Sequence, residues 1–225
     1  MEKLVAVMLG DGFEPLEALA PIDVLRRGGM KVDTVSVMEG RQVTSAQGVT
    51  LYADAGVGDV DLMGFDMIVV PGGSGGVENL ARCEPLAAAL RAFMAEGRLV
   101  AAICAGPTIL ADLGLLEGRT ATCYPGCEEG FPAGAYQAEL GVHRDGNLIT
   151  ASGPGQALDF GLATLRALAG DATADAVAEA TLVAAQQPPA RRRPSAVLIA
   201  ARRRPRRLPR PFASRLARRE RGVAA

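Results

Sequence analysis

Residues 98–110 read RLVAAICAGPTIL. Val100–Ile103 is an uninterrupted apolar run, the pattern of a strand buried on both faces of a parallel sheet. It stops at Cys104. Ala105-Gly106-Pro107 follows, then a second apolar run. Proline is at home in the first turn of a helix, so the stretch predicts a strand, a tight turn and a helix. Cys104 stands on the turn. It is either a small buried hydrophobe, as most free cysteines are, or a nucleophile held at an elbow.

The same alternation extends in both directions. Leu4–Leu9 and Met67–Val70 are further apolar runs suited to buried strands, and Val32–Val37 alternates as a strand should. Pro15–Arg27 carries apolar residues near helical spacing and meets Gly28-Gly29. Pro85–Glu96, ended by Gly97, and Pro107–Leu113 read as helices, as do the Ala/Leu-rich segments Leu158–Ala169 and Ala174–Ala185. Val142–Thr150, with Asp145-Gly146 between its arms, reads as a β-hairpin. Strands alternating with helices predict an α/β fold with a mainly parallel sheet covered by helices on both faces.

The chain of 225 residues has a net charge of −1, which hides an asymmetry. Residues 191–225 hold 13 Arg and one Glu, giving +12, whereas residues 1–190 carry −13. The last part, 186–225, is broken by Pro188, Pro189, Pro194, Pro205, Pro209 and Pro211. Such a segment repels itself and cannot form a regular helix, so disorder is expected there and a folded domain over 1–185. Clustered arginine suits phosphate. With Phe212 as the tail's only aromatic there is nothing interleaved to stack on bases, so nucleic-acid contact is not the favoured reading. The N-terminus lacks a signal-peptide pattern and no apolar stretch is long enough to span a bilayer, so a cytoplasmic protein is expected. Cys83, Cys104, Cys123 and Cys127 do not read as a disulfide framework in a chain this long.

In open α/β sheets, sites form at the carboxyl ends of strands. Three such ends carry signals: GDGFEPLE after Leu4–Leu9, PGGSGG after Met67–Val70, and Cys104 after Leu99–Ile103. Their convergence favours the nucleophile reading. A thiol at a helix start is expected to have a lowered pKa. The N–H of Ala105 can serve an oxyanion, and the Gly72-Gly73 turn can aim a second N–H at the same point. The one histidine, His143, sits by the hairpin turn and reads as solvated. The proton partner is therefore sought in Glu14 and Glu17, one helical turn apart. Glu17 is flanked by Leu16, Ala18, Leu19 and Ala20, so a raised pKa and proton exchange near neutrality are expected. Glu14 reads equally as a helix-start charge. PGGSGG lacks the lysine and spacing of a phosphate loop. Cys123-x-x-x-Cys127, with no second pair or nearby histidine, does not call for zinc, and no metal is expected.

AAICAGPTIL, VVPGGSGGVENL, GFEPLEALAPIDVLRRGG and TASGPGQALDFGLATLRALAG together resemble the ThiJ/PfpI superfamily, in the branch of the parkinsonism-associated protein deglycase and the bacterial YajL. The resemblance runs over about residues 3–185. It implies a flavodoxin-like sandwich and a homodimer. It implies that Cys104 is the reactive cysteine, that Glu17 hydrogen-bonds it with Glu14 as the other acidic residue of the loop, and that Gly73 and Ala105 are the oxyanion donors. It also implies ready oxidation of Cys104 to a sulfinate. There are departures. Tyr124 stands where animal members have histidine. Ala105 follows the cysteine where the peptidase branch has histidine, which argues against proteolysis. Gln47 stands in place of an interface arginine, while Arg26 and Arg27 remain.

The expected function is a cysteine-dependent glyoxalase III or deglycase acting without a cofactor on methylglyoxal-type 2-oxoaldehydes or their adducts. The competing expectation is a redox-responsive chaperone that binds unfolding clients and uses Cys104 oxidation as its signal.

Overall fold

The computed structural model describes residues 3–183. The expectations for 186–225, and the last two residues of the Ala174–Ala185 helix, lie outside them. Nine strands and six α-helices follow one another among the described residues: β1 (Leu4–Leu9), α1 (Pro15–Arg27), β2 (Lys31–Ser36), β3 (Gln42–Thr44), β4 (Thr50–Tyr52), β5 (Ala55–Gly56), β6 (Met67–Val70), α2 (Ser74–Ala81), α3 (Glu84–Ala95), β7 (Leu99–Ile103), α4 (Pro107–Asp112), β8 (Val142–Asp145), β9 (Leu148–Ala151), α5 (Ala157–Ala169) and α6 (Asp171–Ala180).

Seven strands form one sheet in the order β5-β2-β1-β6-β7-β9-β8, and β3 pairs only with β4. All neighbours in the large sheet are parallel except β8 and β9, which form the antiparallel hairpin across Asp145-Gly146. The expected α/β architecture with a mainly parallel, doubly covered sheet is therefore the one observed.

The alternation of side chains along the strands explains the two covered faces. Val5, Val7 and Leu9 of β1 point into one core with Ile22 and Leu25 of α1 and Phe160 and Leu165 of α5. Ala6 and Met8 point into the other, with Leu80 of α2, Leu90 and Phe93 of α3 and Leu110 of α4. Both faces of a strand are apolar because both are buried.

The strand order positions the site. From β1 the chain moves to β2 on one side, then returns to β6 on the other. The sheet thus reverses direction between β1 and β6, the switch point where crevices open beyond the carboxyl ends of strands. The segments that leave β1, β6 and β7 meet there.

Three stretches differ from the sequence reading. PGGSGG is not a loop throughout, because α2 begins at Ser74 with Gly73 as its N-cap. The β3–β4 hairpin was not anticipated. It lies on the β1–α1 loop, with Gly12 N donating to Thr44 O at 2.7 Å and Ala46 N to Phe13 O at 2.9 Å. The last helix begins at Asp171, not Ala174, and ends at Ala180. Its cap is Gly170 at φ +83, a conformation that costs glycine little.

Candidate active site

Cys104 has φ +62, the left-handed region that non-glycine residues rarely occupy. A single residue there costs about 1 kcal/mol, and the surroundings hold it in place. Its N–H donates to Ala151 O at 2.9 Å, and its carbonyl accepts from Tyr124 N at 2.9 Å. A Cβ on the following Gly106 would lie 2.6 Å from Val70 O and 3.2 Å from Pro71 O. Only glycine lets the chain turn this tightly against the end of β6. The half-buried thiol is left where the segments leaving β1, β6 and β7 meet.

Glu17 sits in the first turn of α1 with no exposed surface. Pro15 starts the helix, and the Glu14 carboxylate caps it by accepting from Glu17 N at 2.8 Å. Of the two readings of Glu14, the structure displays the helix-start one. Glu17 Oε2 accepts from Gly72 N at 2.9 Å. Its other oxygen, Oε1, is buried and accepts no N–H or O–H among the described residues. The Glu17 carboxyl lies beside the Cys104 side chain, the two flanking Gly72. Burial pushes the Glu17 carboxyl up to about 7, with a smaller push from the Glu14 charge, against the bonds from Cys104 and Gly72. A buried carboxyl with one unserved oxygen is better off carrying a proton, and the sulfur beside it is the partner for that proton.

The thiol does not follow the expected direction. Burial raises the Cys104 pKa, and the Glu17 charge and hydrogen bond raise it further; the N–H groups of Ala105 and Gly73 pull the other way. The two acids form a coupled pair that holds one negative charge readily and a second only at high cost.

The N–H groups of Gly73 and Ala105 face the Cys104 sulfur from two loops. Gly72 does not join them. Its N–H is committed to Glu17, so it positions the carboxyl instead of serving an oxyanion. Glycine is required there nonetheless, since a Cβ would meet Glu17 Oε2 at 2.5 Å and Cys104 Cβ at 2.7 Å. The remaining glycines of PGGSGG have a packing reason that the sequence did not disclose. A Cβ on Gly76 would stand 2.8 Å from Phe13 Cα, and Gly73, at φ +89, would meet Gly12 O at 2.4 Å. The α2 start and the β1–α1 loop touch backbone to backbone.

Tyr124 contributes its N–H to the Cys104 carbonyl, while its half-exposed ring lies over Gly153. His143 is bound through a ring nitrogen to Glu139 O at 2.9 Å on the β8 side. Gln47 is exposed, Arg26 holds Val32 O and Asp54, and Arg27 pairs with Asp23. Among the described residues no group of three or more His, Cys, Asp or Glu stands ready to hold a metal ion. Chemically the site offers a thiol, a carboxyl able to give or take a proton near neutrality, and two N–H groups for developing negative charge.

Comparison with known proteins places the chain among relatives. The chain is 40% identical over 169 residues to the protein DJ-1 homolog B of Arabidopsis thaliana, covering 75% of this chain and 39% of that protein. It thus spans about two fifths of that curated relative's length. It is 37% identical over 185 residues to Drosophila melanogaster protein dj-1beta, covering 82% and 99% of the two chains. Among solved structures, Toxoplasma gondii DJ-1 in an oxidised form superposes with a TM-score of 0.77 at 34% identity, covering 80% of this chain and 98% of that one. The DJ-1/PfpI family model matches residues 3–167, and the chain belongs to that family.

Proposed function

We propose that this protein converts methylglyoxal-type 2-oxoaldehydes to 2-hydroxy acids without a cofactor, the chemistry of a glyoxalase III. The observation that carries the reading is the Glu17–Cys104 pair: a carboxyl titrating at about 7, in contact with a thiol that faces two backbone N–H groups.

Ionised Glu17 takes the Cys104 proton as sulfur bonds to the aldehyde carbon. The N–H groups of Gly73 and Ala105 stabilise the resulting oxyanion, which Glu17 protonates to a hemithioacetal. The carboxylate then removes the C1 proton, giving an enediolate, and returns it to C2. The product is a hydroxyacyl thioester on Cys104. Water attacks it, releasing lactate from methylglyoxal and regenerating the thiol. The sum is aldehyde plus water to hydroxy acid, with oxidation at C1 balanced by reduction at C2. The same attack on glyoxal adducts of proteins would constitute deglycase activity.

Purified, reduced protein given methylglyoxal tests this through direct lactate measurement. Cys104→Ser should lower the rate at least ~100-fold, as loss of a nucleophile does. Persistence of the wild-type rate would sink the reading.

A second reading rests on the half-exposed position of Cys104. The groups that would stabilise an oxyanion can equally bind sulfinate oxygens, so oxidation there could signal instead of inactivate. On that reading the oxidised wild type suppresses client aggregation and Cys104→Ser does not. A homodimer acting in the cytoplasm completes the proposal. Its support is the exposed apolar surface of Leu16 and Leu19 on α1, beside Leu158 on the α5 helix that packs against it. Sedimentation of wild type and Leu19→Glu tests it.

A further inference from the structure

Cys123 and Cys127 lie outside the chemistry derived above. Tyr124, Pro125, Gly126 and Cys127 make a turn closed by Cys127 N donating to Tyr124 O at 2.9 Å, with Gly126 at φ +96. Proline second and left-handed glycine third is the pattern of a type II turn. The turn folds the chain back on itself, which brings Cys127 near enough to Cys123 for its charge to raise the Cys123 thiol.

The two thiols are differently placed. Cys123 has no exposed surface, whereas Cys127 is half-buried. The segment holding Cys123 is anchored: Thr122 N donates to Thr150 Oγ1 at 2.9 Å, Thr122 Oγ1 to Gln137 O at 2.8 Å, and Ala121 bridges to Tyr136. Burial first, then the charges of Cys127 and Glu128, push the Cys123 thiol up to about 12. Burial and Glu128 raise Cys127 too.

We propose that Cys123 and Cys127 form a dithiol–disulfide couple, a second redox site separate from Cys104, that takes low-molecular-weight disulfides as its oxidant. The thiolate of accessible Cys127 attacks one sulfur of the external disulfide, whose S–S bond breaks and releases one thiol. The Cys123 thiolate then attacks the Cys127 sulfur and displaces the second thiol. The protein pair loses two electrons and two protons, and the external disulfide gains them. The new bond encloses Tyr124, whose N–H holds the Cys104 carbonyl.

The test uses full-length Cys104→Ser protein, which removes the competing thiol. It is incubated folded with excess oxidised glutathione, then alkylated, digested without reductant and mapped by mass. The expected result is a Cys123–Cys127 linked peptide with no glutathione retained at Cys127. Adding Cys123→Ser should leave a stable glutathione adduct on Cys127, because the resolving thiol is gone. The proposal is overturned by a glutathione adduct that persists at Cys127 with Cys123 intact. It is equally overturned if both residues stay fully alkylatable, or if Cys127 pairs with Cys83.

Discussion

Glu17 is a carboxyl enclosed by protein on every side, and its cost can be read as pH dependence. Its pKa rises from 4.5 to about 7 on folding. The native state therefore holds a proton that the unfolded chain releases between those values. Stability linked to this group is fully present below pH 4.5 and is lost as pH rises through about 7. The shift corresponds to about 3 kcal/mol. Glu17→Gln keeps an acceptor for Gly72 N–H and removes the charge. Denaturant titrations should show the variant gaining about 3 kcal/mol over wild type between pH 5 and pH 8. A constant difference across that range would contradict the buried, titrating carboxyl. Glu17 was legible in the sequence because apolar neighbours surround it in a first helical turn. The direction of the Cys104 shift was not. A helix start is visible in sequence, but the burial of the thiol and the Glu17 charge facing it are not.

At the scale of elements, glycines are needed for two different reasons, close approach of backbones and a left-handed turn. Gly106 has backbone oxygens where a Cβ would go. Gly106→Ala should therefore cost about 2–4 kcal/mol and lower Tm by about 5–12 °C. Gly29, at φ +80, has nothing within 4 Å of a Cβ. Gly29→Ala should cost only the strain of the backbone, about 1 kcal/mol. Differential scanning fluorimetry separates the two, and equal losses would contradict the packing account. Strands β1, β6 and β7 were readable because continuous apolar runs ended by Gly, Pro or Cys have few other interpretations. The β3–β4 hairpin was not, since three-residue strands give too little periodicity. Nor could PGGSGG reveal that its glycines make room for Phe13, because that is a contact between distant parts of the chain.

For the whole molecule, the reversal of strand order between β1 and β6 brings three loops together. Sequence pattern alone predicted that convergence from the rule for open sheets, and strand order supplies the reason. All seven strands described for the large sheet lie within residues 3–183. We therefore expect a chain ending at residue 185 to keep its Tm within about 3 °C of the full chain and its lactate-forming rate within about twofold. A larger loss of either would give the arginine-rich segment a part in the fold or the chemistry. In the proposed reaction a proton passed from Cys104 to Glu17 generates the nucleophile. The most direct measurement is the kcat/KM for lactate formation from methylglyoxal against pH, for wild type and Glu17→Gln. Because the carboxylate must accept the thiol proton, wild-type kcat/KM should rise through about pH 7, where Glu17 ionises, and level off above it. Glu17→Gln should be at least ~100-fold slower and lack that rise. A variant that matches wild type in rate and pH profile would contradict the account.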